Sequence, residues 1–111
     1  MRFQVQKLFY SIKEVAEMFN IEEPTLRYWE TEFPNIKPGR TDGNIRQYRQ
    51  SDIEEIRTVY YLVKDQGMTL AGAKQKLNDN RDHYVKKGEV VDRLKRLRTE
   101  LLTLKNELSA L

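Results

Sequence analysis

From Glu89 to the C-terminus the apolar residues obey one rule. Val90, Leu94, Leu97, Leu101, Leu104, Leu108 and Leu111 are separated by alternating steps of four and three. On an α-helix that spacing draws a single stripe, the a/d seam of a heptad repeat. A helix with so narrow a stripe cannot bury it alone. Two arrangements satisfy it: the helix folds back on its own chain, or it pairs with another helix, most simply a second copy. The flanking residues Arg93, Arg98, Glu100, Lys105 and Glu107 carry both signs and leave parallel and antiparallel pairing open. With 111 residues, the chain has room for one compact domain before this extension.

The preceding residues announce their own helix ends. Ser11-Ile12-Lys13-Glu14 has the form of a capping box, and Ile12, Val15, Ala16 and Phe19 follow at helical spacing. Asn20-Ile21-Glu22 is a short turn, and Pro24 suits the first turn of a second helix. Two short helices around such a turn make a helix-turn-helix. In "FPNIKPGRTDGNIRQY", two prolines and two glycines exclude helix. Asp42-Gly43-Asn44 supplies the positive backbone angles of a hairpin turn, with Ile36-Lys37 and Ile45–Tyr48 as its strands. Ser51-Asp52-Ile53-Glu54 has the form of a second capping box. It opens helix three, with Ile53, Ile56, Val59 or Tyr60, and Val63 as its stripe and Gly67 as its cap. Thr69 caps helix four, which buries Leu70, Ala73 and Leu77, and the polar stretch after it reads as a helix end and linker.

These elements predict a mainly α fold. It comprises a winged helix-turn-helix over residues 1–78 with a small β-hairpin wing, a linker over 79–88 and a coiled-coil dimerisation helix over 89–111.

Composition narrows the function. An apolar fraction of 39% and a charged fraction of 33% suit a small core with much exposed surface. No run approaches the roughly 18 apolar residues of a membrane span, and "MRFQVQKLFYSI" lacks the apolar core of a secretory signal. The expectation is a cytoplasmic protein without a membrane partner. No cysteine is present, and His83 is the lone histidine, so neither a thiolate nor a multi-histidine metal site is expected, nor any cofactor. The sequence holds no Gly-rich phosphate loop, nucleophile triad or paired-carboxylate site, so an enzyme is not expected and no catalytic residue is assigned.

The net charge of +3 is mild, but its distribution is uneven. Residues 36–49 carry Lys37, Arg40, Arg46 and Arg49 against Asp42 alone. The second helix sharpens the point. At about 100° per residue, Leu26, Trp29 and Phe33 form one buried stripe, and Pro24, Arg27, Tyr28 and Thr31 fall on the opposite side. Glu23, Glu30 and Glu32 lie on the flanks. An exposed arginine–tyrosine strip beside a basic hairpin suits a DNA major groove: Arg27 for a guanine edge or a phosphate, Tyr28 for a phosphate, Thr31 for a thymine methyl or the backbone. The hairpin cations are the residue types that displace counterions from phosphates. The same strip also reads as an ordinary exposed helix face.

"YSIKEVAEMFNIEEPTLRYWE", followed by "IRQYRQSDIEEIRTVYYLVKDQGMTLAGAKQKL", resembles the DNA-binding half of MerR-type transcription regulators over roughly residues 8–78. The heptad helix is similar to that family's antiparallel dimerisation helix. The resemblance implies a homodimer that sets two winged heads on a palindromic site in double-stranded DNA and bends or untwists the DNA between them. It also implies Arg27 and Tyr28 in the groove and Arg46 on the backbone at the wing, with Tyr48 among the DNA-binding residues of the wing and RNA polymerase at a promoter as a further partner. Three features depart from the family pattern. Gly43-Asn44 replaces the usual Asn-Gly, and an acidic residue, Glu22 or Glu23, takes the second helix's cap. No cysteine-bearing or ligand-pocket segment follows the heptads, so gating by a metal or drug is not expected. Two other functions also accommodate the sequence: an excisionase-like architectural protein with the same winged head, and an adaptor whose seam binds a different chain.

Overall fold

Residues 7–111 are described by a computed structural model, and residues 1–6 of the expected head lie outside them. Five helical pieces and one hairpin follow in order: α1 (Ile12–Phe19), α2 (Glu23–Glu32), β1 (Gly39–Arg40), β2 (Arg46–Gln47), α3 (Gln50–Tyr60) running into a π-turn (Tyr61–Asp65), and α4 (Leu70–Ser109).

The helix-turn-helix forms as its caps dictate. Ser11 Oγ accepts from the Glu14 amide at 3.1 Å, and Glu14 Oε1 accepts from the Ser11 amide at 3.0 Å. Asn20 ends α1 in the left-handed region at φ 52°. Glu22 occupies the cap of α2 without a side-chain capping bond, and Pro24 sits in the first turn. Leu26, Trp29 and Phe33 are buried, as their helical phase predicts. They meet Val15, Ile36, Tyr48, Ile53, Ile56, Val59, Leu62, Ala73 and Leu77 in one core.

The hairpin is shorter and later than the sequence predicts. Ile36 is a buried core residue, Lys37 is not in a strand, and the paired positions are Gly39 with Gln47 and Arg40 with Arg46. The two prolines explain the shift, because Pro38 lacks the amide a ladder needs. Asn44, not Gly43, supplies the positive φ, at 62°. The Asn44 amide donates to Thr41 O at 2.8 Å, and Thr41 and Ile45 close the loop. This is a three-residue hairpin loop with its left-handed residue last. Asn tolerates that conformation, so the inverted Gly-Asn order still turns the chain.

The cap of α3 also differs from expectation. The helix starts one residue before Ser51, and Arg49 holds the cap position. The side chain that organises it is Asp52, which is buried. Its Oδ2 accepts from the Arg49 amide at 2.9 Å, and its Oδ1 accepts from the Lys37 amide at 3.0 Å. One carboxylate thus ties the hairpin's entry and exit to α3. Thr69 caps α4 as predicted, with Oγ1 accepting from the Gly72 amide at 3.0 Å, after Gly67 reverses the chain at φ 68°.

The expected linker over 79–88 is helical apart from Asn80, whose φ of −160° and ψ of 79° break α4 in two. Asn80 Oδ1 accepts from the His83 amide at 3.3 Å and restarts the helix. Polar composition misleads here because the segment packs. Gly88 is buried where the helix crosses α3, and a Cβ placed on it would lie 3.4 Å from Thr58 Cα. Arg81 pairs with Glu55, and Lys95 pairs with Asp65 at 2.7 Å. Tyr84 and Val91 pack onto the core. Past Lys95 the helix extends away from the head, and the molecule measures 50 × 35 × 23 Å. All seven seam residues, Val90 to Leu111, are exposed in the single chain. Among the described residues, no helix is long and apolar enough to cross a membrane.

Candidate nucleic-acid interface

Helical phase puts Pro24, Arg27, Tyr28 and Thr31 on one strip of α2, and all four are exposed. The Thr31 hydroxyl donates to the Tyr28 carbonyl at 2.6 Å, which leaves its methyl and its oxygen lone pairs for other contacts. Arg27 meets Glu23 at 3.4 Å, an exposed pair that water and salt screen to little net energy. The guanidinium therefore remains free to exchange that carboxylate for a stronger anion.

Two of the acids beside the strip, Glu30 and Glu32, are paired from elsewhere in the fold. Glu32 accepts from Lys74 of α4 at 2.8 Å. Glu30 Oε2 accepts from Arg46 Nε at 2.9 Å and from the Tyr48 hydroxyl at 2.7 Å. Alternate residues of a strand share a face, which is why Arg46 and Tyr48 converge on one carboxylate. Each of the three flanking glutamates thus has a cationic partner.

Tyr48 takes a different place from the one expected of it. It is fully buried, so the wing does not present it to a ligand. Burial, reinforced by the hydrogen bond to Glu30 and its negative charge, pushes the phenol far above its ordinary pKa, so it stays a protonated donor. Its amide and carbonyl pair with Tyr10, both at 2.8 Å, which fastens the residues before α1 to the hairpin. Neither the Tyr10 pairing nor the role of Glu30 follows from the sequence pattern alone. The signal available was the period-2 placement of Arg46 and Tyr48 opposite a flank of α2 that carries an acid.

The wing cations are dispersed unevenly. Arg40 and Arg46 stand directly opposite each other across the ladder. Arg40 Nη1 donates to the Asn44 carbonyl at 3.3 Å. Arg49 is exposed, with its guanidinium 5.9 Å from the Phe9 ring centroid. Lys37 lies apart from the ladder, lining a groove with Ser51, Glu54 and Arg81. Among the described residues, no group of acidic or histidine side chains is arranged to hold a metal ion.

A helix-turn-helix, a charged hairpin packed against its second helix and a long following helix recur together in a known family. Residues 10–80 match the profile of the MerR HTH family regulatory protein.

The chain belongs to the MerR HTH regulatory family.

Members are DNA-binding regulators, not enzymes. Among relatives, the HTH-type transcriptional regulator MlrA of Escherichia coli (strain K12) is 38% identical over 74 residues, covering 66% of this chain and 30% of that protein. The HTH-type transcriptional repressor CarA of Myxococcus xanthus is 35% identical over 63 residues, covering 56% of this chain and 22% of that protein. The matched stretch therefore spans less than a third of either relative. Two solved MerR-family structures share the fold. One is HiNmlR, described as a regulator lacking the sensor domain and bound to promoter DNA. It matches with a TM-score of 0.52 at 20% identity, over 91% of this chain and 88% of that one. The other, a transcriptional regulator from Bacillus cereus, matches with a TM-score of 0.57 at 19% identity, over 90% and 79%. Coverage of this extent takes in much of the long helix as well as the MerR head.

Proposed function

We propose that the chain regulates transcription as a homodimer on a palindromic DNA site, distorting the duplex between two heads. In this reading α2 lies in the major groove, with Arg27 at a base edge or phosphate and Pro24, Tyr28 and Thr31 beside it. Arg40, Arg46 and Arg49 hold the phosphate backbone. The observation that carries the reading is the pairing of Arg40 with Arg46. Like charges directly opposite on a hairpin repel. A ligand that supplies phosphates to both removes that repulsion and releases counterions.

The dimer rests on the exposed row of Val90, Leu94, Leu97, Leu101, Leu104, Leu108 and Leu111. A second copy of the same row is its simplest cover. After Glu89 the helix is on the order of 35 Å long, at about 1.5 Å per residue. That length approaches one turn of DNA, the separation of adjacent half-sites. The setting is a promoter in the cytoplasm, with RNA polymerase as the further partner.

The test is a fluorescence-anisotropy titration against duplexes recovered by genome-wide mapping, repeated across salt concentrations. Arg40→Ala and Arg46→Ala should each reduce the slope of log affinity on log salt by about one ion. A protein that ignores duplex DNA at low salt overturns the reading.

A further inference from the structure

An acid beside a DNA-binding surface ordinarily weakens binding, because it repels phosphates. Glu30 lies between the recognition strip and the wing, with its side chain 13% exposed. By charge alone it opposes the proposed function. Its geometry points the other way. A single oxygen, Oε2, receives both Arg46 Nε and the Tyr48 hydroxyl, at 2.9 and 2.7 Å. Tyr48 is anchored, being fully buried and bonded through its backbone to Tyr10. Glu30 sits on α2, so the carboxylate joins the helix that enters the groove to the strand that carries Arg46.

The arginine is held by its inner nitrogen. Among the described residues no acceptor meets its terminal nitrogens, and these are the pair that fits a phosphate edge-on. Directly opposite, Arg40 is turned toward the Asn44 carbonyl. Without an anchor, the two guanidiniums would splay apart under mutual repulsion.

We infer that Glu30 is a positioning residue for DNA binding. It fixes the side chain of Arg46 and the tilt of the wing against α2, and that gain exceeds its own repulsion of the phosphates. The inference rests on the proposed DNA-binding function and deepens it.

The two roles predict opposite signs for substitution. If Glu30 were only a negative charge, Glu30→Ala would bind DNA more tightly. If it positions Arg46, Glu30→Ala binds roughly tenfold more weakly, the scale of one lost charge-assisted contact. It also loses about one ion from the salt slope, because Arg46 no longer reaches its phosphate. Glu30→Gln separates charge from geometry. Its amide oxygen can still accept both donors, so it should bind at least as tightly as the unaltered protein and keep the full slope. The measurement is anisotropy against one mapped duplex across a salt series, at a temperature where circular dichroism shows all three proteins folded. A merely structural role would lower the melting temperature and leave the salt slope of the folded protein unchanged. The inference is overturned if Glu30→Ala matches or exceeds the unaltered protein, if its slope does not change, or if Glu30→Gln is as weak as Glu30→Ala. Absence of DNA binding by the unaltered protein would overturn the function and this inference together. Normal binding with any of the three outcomes above overturns only the role of Glu30.

Discussion

The hydroxyl of Tyr48 donates to Glu30 at 2.7 Å from a fully buried ring. A hydrogen bond to a charged acceptor in such a place contributes more than a neutral one, because water cannot replace the lost partner. Tyr48→Phe keeps the packing and removes only the oxygen. It should destabilise the protein by about 1.5 kcal/mol, at the low end for bonds to charged groups, since Glu30 keeps Arg46. Urea unfolding followed by circular dichroism checks this. An unchanged midpoint would remove the bond from the stability argument.

Glu55 gives a pH signature. Burial raises its carboxyl above the ordinary value of 4.5, and Arg81 pulls only partly the other way. A carboxyl raised in the folded state binds more protons there than in the unfolded chain. Its contribution is therefore fully present below 4.5 and is lost as pH rises through the folded value. Arg81→Ala removes the compensating charge, so the loss should extend to higher pH. At neutral pH the variant should be less stable by about 2 kcal/mol, below the usual cost of breaking a buried pair because Arg81 is 37% exposed. The deficit should shrink in melts near pH 4. A deficit independent of pH would contradict this account.

Gly88 lies where α4 crosses α3, with Thr58 Cα 3.4 Å from an added Cβ. That is ordinary contact, so Gly88→Ala should be neutral or stabilising by up to about 1 kcal/mol through helix propensity. Gly88→Leu has no room and should cost about 1–3 kcal/mol by overpacking. Thermal melts of the two variants should move apart. If both behave alike, the crossing is looser than the distance implies.

Leu101 is at the middle of the exposed row. Leu101→Asp should yield a monomer by analytical ultracentrifugation and lose affinity for a full palindrome while leaving the head folded. A variant that sediments as the unaltered protein does would take the row out of the assembly.

Arg27→Ala should erode discrimination between mapped and scrambled duplexes by roughly 1–3 kcal/mol, the value of a specific base contact. Arg46→Ala should weaken both duplexes about equally. Competition titrations decide the matter, and identical behaviour would erase the distinction between groove and backbone roles.

Local chemistry made much of the head legible. Ser11 and Glu14 announce α1, Thr69 announces α4, and the 100° phase of Leu26, Trp29 and Phe33 separates the core from the exposed strip on α2. What escaped depended on partners far along the chain. Ser51 looked like a cap, but Asp52 organises α3 because Lys37, 15 residues earlier, offers it a second amide. Residues 79–88 looked like a linker because their polarity hid Gly88 and Arg81, whose partners lie on α3. In the candidate interface, the exposure of Pro24, Arg27, Tyr28 and Thr31 followed from helical phase. The burial of Tyr48 did not, because a two-residue strand has too few alternations to reveal which face is inward.

The break at Asn80 determines what governs the direction of the terminal helix. Because regular geometry is interrupted there, the far segment does not inherit the axis of the turns before it. It takes its bearing from α3, through Arg81 and Gly88, and from the π-turn that follows α3, through Lys95. The terminal helix is thus a lever whose fulcrum is that crossing. Over the 23 residues from Gly88 to Leu111, at about 1.5 Å each, a rotation of one degree displaces the tip by about 0.6 Å. A small volume change at Thr58 or Tyr61 that turns the crossing by a degree is therefore magnified at the far tip of the helix.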